Sequence, residues 1–187
     1  HVTAKKNKGP IVSTITMSSM VDKLATLHKV KSFRTKIGFK YVAPLMEDSG
    51  SFIGGEESGG FAYSNHLIER DGIMSSLLLL ESLSYSGEKP SNLLKSLNQK
   101  LGNHFYKRID IPIEKKDSTQ KISQFIKDPN MSSFIGTKIT KLDQTDGLKI
   151  NLENGDWVAL RLSGTEPLIR FYSESSNQSQ LNSMLNE

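Results

Sequence analysis

The stretch of this sequence best suited to bind an anion is residues 161–170, Arg-Leu-Ser-Gly-Thr-Glu-Pro-Leu-Ile-Arg. Its two arginines can each form paired, charge-assisted hydrogen bonds to a phosphate group, and its serine and threonine hydroxyls are further donors. The glycine permits backbone conformations in which successive N–H groups point at one oxyanion. The pattern indicates a phosphate-binding loop, and a polar turn with two solvated arginines is the competing interpretation. The candidate phosphate-binding residues are Arg161, Ser163, Gly164, Thr165 and Arg170.

A second candidate site is the glycine-rich stretch 54–60, Gly-Gly-Glu-Glu-Ser-Gly-Gly. The Glu56 carboxylate accepts hydrogen bonds and the Ser58 hydroxyl donates or accepts them, so together they suit a pair of vicinal sugar hydroxyls. A solvated acidic loop is the competing interpretation. Four side chains that carry or can gain a positive charge are further candidates for substrate contact, with an exposed surface residue as the alternative for each: Lys36, Lys40, His66 and Arg70.

Both stretches resemble motifs of one enzyme family, the α-D-phosphohexomutases, also called the phosphoglucomutase/phosphomannomutase family. Residues 161–170 are similar to the phosphate-binding loop of the family's last domain. Residues 54–60, followed by Glu69–Ile73, resemble its sugar-specificity loop and the helix start after it. The resemblance implies that Glu56 and Ser58 contact the sugar. Glu57 between them looks more like the phosphoglucomutase end of the family, and it does not decide between glucose and mannose.

The resemblance implies an enzyme that interconverts hexose 1-phosphates and hexose 6-phosphates through a hexose 1,6-bisphosphate. In this family a phosphoserine donates the phosphoryl group, and Mg²⁺ on an aspartate loop supports the transfer. The present sequence contains neither a Ser-His-Asn-Pro-type loop nor an Asp-Gly-Asp-x-Asp-Arg loop. We therefore expect no catalytic serine and no metal site in this chain, with the Mg²⁺ ligands outside it.

We interpret the chain as the C-terminal half of a longer mutase. Its expected partners are hexose phosphates and the missing N-terminal domains of the same protein, and the isolated chain is expected to be inactive. The alternative is a stand-alone, non-catalytic phosphosugar-binding module.

Composition narrows the class of protein. A chain of 187 residues is long enough for one large or two small domains. The absence of cysteine excludes disulfides and suits a reducing compartment, so we expect a cytoplasmic protein. No apolar run approaches the ~20 residues needed to span a bilayer, and no membrane partner is expected. The net charge of +4 favours anionic ligands, but the lysines are dispersed, so no nucleic-acid partner is expected.

Residues 1–103 are predicted to form a three-layer α/β domain with a mixed sheet. The resemblance identifies it as the sugar-binding third domain of the family, incomplete at its N-terminus. The β-branched run Ile11–Thr16 predicts a buried strand, and Val30–Lys36 predicts a second one. Ser18 or Ser19 is expected to cap the helix between them. Such a strand–helix–strand order is typical of a parallel α/β unit.

Two leucine-rich helices are predicted after a loop over Gly50–Gly60. Asp71 is expected to cap the first, whose inner stripe contains Ile73, Leu77 and Leu80. Further leucines beside this stripe predict that the helix is buried on more than one side. We expect Ser91 to cap the second helix and Gly102 to end it.

Residues 104–187 are predicted to form a small α+β domain with an antiparallel sheet. The resemblance identifies it as the family's phosphate-binding fourth domain. Tyr106–Ile113 is predicted as an edge strand, because it contains a proline. Asn154-Gly155 is a strong hairpin signal. The phosphate-binding loop then joins the predicted strands Trp157–Leu162 and Leu168–Tyr172.

Overall fold

The computed structural model describes residues 9–113 and 116–186. The chain divides into two compact units, one ending at Gly102 and the other beginning at Asn103. Each unit has its own sheet and its own cluster of buried apolar side chains. The predicted fold class, α/β followed by α+β, is confirmed by a mixed sheet with helices and a separate antiparallel sheet.

The first unit is built on a mixed sheet in the order β2-β1-β3-β4. β1 pairs in parallel with β2 and β3, and β4 pairs antiparallel with β3. Its described elements are β1 Ile11–Thr14, α1 Met20–His28, β2 Ser32–Thr35, α2 Phe39–Ser49, β3 Ile53–Gly55, β4 Phe61–Tyr63, α3 Gly72–Ser86 and α4 Pro90–Leu101. The predicted parallel strand–helix–strand unit is therefore confirmed, and the Ser18 hydroxyl accepts the Met20 N–H at its helix start, at 3.1 Å.

Side chains alternate between the two faces of this sheet, as they do along any strand. Val12 and Ala62 point to α2, where they pack with buried Val42 and Met46. Gly54 belongs to the same face, because a Cβ there would collide with Met46 and Val42. The opposite face is flanked by α1 and α3. Between these helices lies an open groove of about 620 Å³, lined mainly by apolar side chains.

The helix α3 differs from its prediction. Asp71 caps it as expected, since its carboxylate accepts the Met74 N–H at 2.8 Å. No residue of α3 is buried, however, and Ile73 is 79% and Leu80 61% exposed. The prediction of burial on more than one side is therefore wrong for this chain. An apolar stripe is buried only where another element packs on it, and none of the described elements covers this one.

Two smaller predictions for the first unit are also wrong. The stretch Gly50–Gly60 is not a loop throughout, because β3 lies inside it and pairs with β1 and β4. Ser91 does not cap α4, since that helix begins at Pro90 with Lys89 in the cap position. Proline suits the first helical position, where its missing N–H is not needed.

The second unit is an antiparallel sheet of six strands within the described residues, in the order β5-β10-β9-β8-β7-β6. Its described elements are β5 Phe105–Pro112, α5 Lys116–Lys127, β6 Ser133–Phe134, β7 Thr137–Asp143, β8 Leu148–Leu152, β9 Trp157–Leu162, β10 Leu168–Ser175 and α6 Gln178–Asn186. The predicted edge strand and the predicted hairpin between β8 and β9 are confirmed. The short strand β6 was not predicted.

The core of this unit lies on one face of its sheet. Leu148, Ile150 and Val158 pack against Leu181 and Met184 of α6. The other face contains the only tryptophan of the sequence, Trp157, which is 1% exposed and donates its Nε1–H to Glu174 at 3.0 Å. Tryptophan fluorescence therefore reports on the folding of this unit. In the described residues, no helix has the length and apolar character needed to cross a membrane.

Candidate functional site

The loop between β9 and β10 is closed by its own hydrogen bonds. The Ser163 N–H donates to the Leu168 carbonyl at 2.9 Å. The Ser163 hydroxyl accepts the N–H groups of Thr165 at 3.4 Å and of Glu166 at 3.3 Å. These two bonds are long and therefore weak, so a stronger acceptor would compete with the Ser163 hydroxyl for the same N–H groups. The loop therefore has the donors that an oxyanion requires.

Arg161 and Arg170 are direct cross-strand partners in the register of β9 and β10. Their side chains consequently leave the same face of the sheet, and two like charges placed opposite each other destabilise a sheet. In the structure each arginine has a carboxylate partner. Arg161 Nε donates to both oxygens of Asp146 at 3.1 Å, and Arg170 Nη2 donates to Glu166 Oε2 at 3.2 Å. Both arginine side chains are 22% exposed.

Gly164 does not use the wider range of backbone conformations that glycine permits. Its φ lies outside the left-handed region, and a Cβ built on it would meet nothing within 4 Å. The reason is the bond pattern of the loop, in which the Ser163 hydroxyl rather than a left-handed residue gathers the N–H groups. Gly164 and Thr165 are both exposed to solvent at the tip of this loop.

The candidate sugar loop lies at the end of β3 and is a tight turn. The Glu56 N–H donates to the Gly60 carbonyl, and the Gly59 N–H donates to the Glu56 carbonyl, both at 3.0 Å. The Glu56 side chain is held in place, because its Oε1 accepts the Gly38 N–H at 2.9 Å and Glu56 as a whole is 5% exposed. Ser58 stands exposed at the tip. The structure therefore gives a fixed carboxylate below an exposed hydroxyl.

The neighbouring residue Glu57 links this loop to the loop after β1. Its Oε2 accepts the Thr16 hydroxyl at 3.0 Å. The loop after β1 is fastened in turn by Arg34, whose guanidinium donates to the carbonyls of Thr14 and Met17 at 3.0 Å and 2.8 Å. Loops that follow parallel strands meet at one edge of the sheet, and this edge is the usual ligand crevice of open α/β sheets.

Arg70 lies beside Glu56. Arg70 Nη1 lies 3.8 Å from Glu56 Oε2, and its guanidinium lies 5.5 Å from the centre of the Phe39 ring. The absence of a side chain at Gly60 makes room for it, since a Cβ there would lie 2.7 Å from the Arg70 Cδ. A hydrogen bond from the Arg70 N–H lowers the pKa of Glu69, and the Arg70 side chain adds to this effect.

The two candidate lysines lie beside Gly38 at the start of α2. Both are exposed, and both lie near the ring of Tyr41, Lys36 Nζ at 5.8 Å and Lys40 Nζ at 5.0 Å from its centre. They therefore add positive charge near the Gly38 N–H that holds Glu56.

His66 has a different surrounding from the other candidates. Its Nε2 lies 2.9 Å from Asp71 Oδ2. The pKa of Asp71 is lowered mainly by the hydrogen bond from the Met74 N–H and, to a smaller extent, by the hydrogen bond with His66. His66 is thereby placed beside the helix cap of α3, where it supports the residue that caps the helix.

Comparison with protein families agrees with this geometry. Residues 1–101 match the model of the phosphoglucomutase/phosphomannomutase α/β/α domain III. Residues 109–187 match the C-terminal domain of the same family. The chain belongs to the α-D-phosphohexomutase family. Residues 54–60 fall within the first of these matches and residues 161–170 within the second.

Relatives of known name support the family. The chain is 33% identical over 170 residues to the phosphoglucomutase/phosphomannomutase of Thermococcus kodakarensis. This alignment covers 91% of the present chain and 35% of that protein. The crystal structure of a phosphomannomutase-like protein of Thermus thermophilus superposes with a TM-score of 0.75 at 29% identity, over 96% of this chain and 35% of that one. The present chain thus spans about a third of the length of these relatives.

A more distant structure shares the fold. N-acetylphosphoglucosamine mutase of Aspergillus fumigatus, in complex with GlcNAc-6P and magnesium, superposes with a TM-score of 0.61 at 15% identity, over 96% of this chain and 40% of that one. A serine-to-alanine variant of that enzyme was solved with glucose 1,6-bisphosphate. In the part of the present chain that the structure describes, no cluster of three or more His, Asp or Glu side chains could hold a metal ion. No Mg²⁺ ligand is therefore assigned here.

The sequence did not indicate the carboxylate that holds Arg161 in this chain. Asp146 lies in the turn before β8, fifteen positions from Arg161, and the two meet only because β8 pairs with β9. The Asp146-Gly147 dipeptide was a visible turn signal. What it did not reveal is that the turn folds onto Arg161, which follows from the strand register alone.

Proposed function

We propose that this chain is the C-terminal part of a phosphohexomutase that interconverts hexose 1-phosphates and hexose 6-phosphates through a hexose 1,6-bisphosphate. In this proposal the chain provides the sugar-binding and phosphate-binding loops. The phosphoserine and the Mg²⁺ ligands belong to the N-terminal domains of the longer polypeptide. The isolated chain is inactive, because it has no group that donates the phosphoryl.

The observation that supports the phosphate site most strongly is the cross-strand pair of Arg161 and Arg170. The two guanidiniums leave one face beside a loop whose N–H groups and hydroxyls are donors. A phosphate dianion is a ligand that such a set fits, since its oxygens accept charge-assisted bonds from the guanidiniums and further bonds from the loop. Ser163, Gly164 and Thr165 complete the proposed site.

The proposed sugar site is the loop of Glu56 and Ser58. The Glu56 carboxylate is oriented by the Gly38 N–H, and its other oxygen has lone pairs that can accept a sugar hydroxyl once the exposed Arg70 side chain beside it moves. Arg70 lies beside it and is exposed enough to reach a ligand. Lys36, Lys40 and His66 stay predictions for this site.

These residues suit a reaction in which the substrate must bind in two orientations. A phosphate site built of guanidiniums and loop donors recognises charge and shape, so it holds a phosphate whichever carbon bears it. A carboxylate and a hydroxyl likewise hold a pair of ring hydroxyls that exchange places when the sugar turns. Mg²⁺, when bound by the rest of the enzyme, would stabilise charge on the phosphoryl group in transfer.

The exposed apolar surface of the first unit favours a part of a longer enzyme over a stand-alone binding module. Its groove between α1 and α3 is lined by apolar side chains such as Val21, Leu24 and Leu79, and α3 exposes an apolar stripe beside it. Exposed apolar surface of this extent marks an interaction site. We propose that the N-terminal part of the longer polypeptide, absent from this chain, covers this surface. A complete module would have no such need.

The proposed phosphate site is tested by NMR titration of the ¹⁵N-labelled chain with inorganic phosphate and with glucose 1,6-bisphosphate at low salt. Shifts are expected in residues 161–170 with both ligands, and also in residues 54–60 with the bisphosphate. Arg161→Ala should abolish the shifts in residues 161–170. Lys138→Ala removes the same charge at an exposed position of β7 and should leave those shifts unchanged. Equal binding by Arg161→Ala and the unmodified chain would refute the phosphate site.

The proposed lack of activity has its own assay. The chain is incubated with glucose 1-phosphate, Mg²⁺ and glucose 1,6-bisphosphate, and formation of glucose 6-phosphate is followed. We expect none above the background of the Arg161→Ala variant. Turnover by the unmodified chain would show that it does not need a separate phosphoserine domain.

A further inference from the structure

We infer that two carboxylates beside the phosphate loop affect phosphate binding in opposite directions. Asp146 positions Arg161 and stays with it when phosphate binds. Glu166 occupies Arg170 in the ligand-free chain and is displaced by phosphate. The inference rests on the proposed phosphate site and adds to it a positioning residue and a competing internal anion.

The geometry of Asp146 is that of a support. Arg161 meets it through Nε, which donates to both carboxylate oxygens at 3.1 Å. A guanidinium is a rigid, planar fork, so fixing its Nε edge fixes the direction of its two terminal nitrogens. Those terminal nitrogens are the pair that binds a phosphate in the bidentate manner. Asp146 thus orients Arg161 from the side opposite a ligand.

The turn that presents Asp146 is itself constrained. Asp143 Oδ1 accepts the Thr145 N–H at 3.0 Å and the Thr145 hydroxyl at 2.6 Å. Gly147 has a φ of +81° and lies directly on β9, because a Cβ there would collide with the Leu160 carbonyl and lie 3.1 Å from the Arg161 Cα. Asp146 is therefore held against Arg161 by the backbone on both of its sides.

Glu166 has the opposite features. It lies within the loop that is to receive the phosphate, its side chain is 57% exposed, and it reaches Arg170 through one hydrogen bond of 3.2 Å. An exposed ion pair of this kind is weak and readily exchanged. A phosphate dianion has more charge and more acceptors than a carboxylate, so it replaces Glu166 at Arg170.

The other carboxylate near Arg170 is engaged elsewhere. Asp110 of β5 is the cross-strand neighbour of Arg170. Its two oxygens accept Arg108 Nε at 2.8 Å and Arg108 Nη2 at 2.6 Å, and this hydrogen-bonding lowers the pKa of Asp110. Of the two carboxylates, Glu166 is therefore the one hydrogen-bonded to Arg170.

The two roles predict opposite signs for two variants that each remove one negative charge. Glu166→Gln should bind inorganic phosphate about two- to five-fold more tightly, the range expected from loss of an exposed ion pair. Asp146→Asn should bind it about five- to ten-fold more weakly, because Arg161 loses its orientation. Simple charge repulsion would predict tighter binding for both. Trp157 fluorescence and thermal unfolding show whether each variant is folded.

A spectroscopic readout on the unmodified chain does not depend on any variant. We expect the Arg161 Nε–H resonance in ¹H–¹⁵N spectra to be protected from exchange with and without phosphate, and to lose protection in Asp146→Asn. The Arg170 side-chain resonances should shift when phosphate is added. Arg161 resonances that show no protection in the unmodified chain would overturn the role of Asp146, even if Asp146→Asn did not fold.

The outcomes separate this inference from the proposed site. If Arg161→Ala binds phosphate as well as the unmodified chain does, the phosphate site itself is wrong. If Arg161→Ala loses binding but Asp146→Asn binds as tightly as the unmodified chain or more tightly, the positioning role is overturned. Unchanged or weaker binding by Glu166→Gln overturns the competing role of Glu166.

Discussion

Gly147 determines, at the scale of single residues, how closely Asp146 approaches Arg161. Gly147→Ala adds a Cβ that collides with the Leu160 carbonyl and requires a residue other than glycine to keep a φ of +81°. We expect the free energy of unfolding to fall by about 2–4 kcal/mol and phosphate affinity to fall with it. Trp157 fluorescence in urea and a phosphate titration measure the two effects.

Gly155 is the matched control for this substitution. Its φ is +86°, but a Cβ on it would meet nothing within 4 Å. Gly155→Ala should therefore cost about 1 kcal/mol of conformational strain and leave phosphate binding unchanged. If Gly147→Ala cost no more than Gly155→Ala, close approach of the turn to β9 would not matter.

Asp143 gives the same turn a dependence on pH. Burial acts to raise its pKa, but hydrogen bonds from Thr145 and Lys141 outweigh this and lower the pKa to about 2. The unfolded chain has the ordinary value of about 3.9. The stabilisation is therefore complete above about pH 4 and is lost as the pH falls toward 2. In Asp143→Asn, the free energy of unfolding should fall less steeply between about pH 4 and about pH 2 than in the unmodified chain. The same pH dependence in both would count against this role of Asp143.

The residues with an evident chemical role could be read from the sequence, and their supports could not. Arg161, Arg170 and the loop hydroxyls follow from residue type and local spacing. Asp146 becomes a partner of Arg161 only through the pairing of β8 with β9, which no local pattern records. The backbone conformation of Gly164 could not be read from the sequence either, because glycine permits a left-handed φ without requiring it.

At the scale of elements, α3 has no buried residue and exposes an apolar stripe. Leu80→Gln in this chain should change the free energy of unfolding by less than about 0.5 kcal/mol, because Leu80 is exposed and glutamine is a similar helix former. Met46→Ala in the core of the same unit should cost about 2–5 kcal/mol. Thermal unfolding followed by circular dichroism compares the two.

The same pair of variants tests whether another part of the polypeptide covers α3. In a longer form that contains the N-terminal domains, Leu80→Gln should become clearly destabilising. A hydrophobic dye should bind more strongly to the 187-residue chain than to the form that contains the N-terminal domains. If Leu80→Gln lowered the free energy of unfolding of the 187-residue chain by several kcal/mol, α3 would already be buried in that chain.

Element type followed from periodicity, but burial did not. The alternating strands of the second unit and the parallel unit around β1 were predicted because their patterns repeat along the chain. The leucines of α3 predicted burial, yet composition tells which surface needs a partner and not whether one is present. β3 was missed because Gly54 and Gly55 look like loop residues, although the close packing of α2 requires a glycine at position 54.

At the scale of the whole molecule, the two units have separate cores and separate candidate sites. Every residue of the proposed phosphate site, with both carboxylates that hold its arginines, lies in the second unit. The second unit also has its own buried cluster, which includes Leu148, Val158 and Leu181. A chain of residues 103–187 alone should therefore fold.

We expect this shortened chain to bind inorganic phosphate within about two-fold of the 187-residue chain, since it keeps all donors of the site. Its Trp157 fluorescence should match that of the longer chain, which shows that the fold is kept. Glucose 1-phosphate should bind the shorter chain no more tightly than inorganic phosphate, because the sugar loop of Glu56 is absent from it. Clearly tighter binding of glucose 1-phosphate would mean that the second unit recognises the sugar as well as the phosphate, and the proposed role of Glu56 and Ser58 would then lose its support.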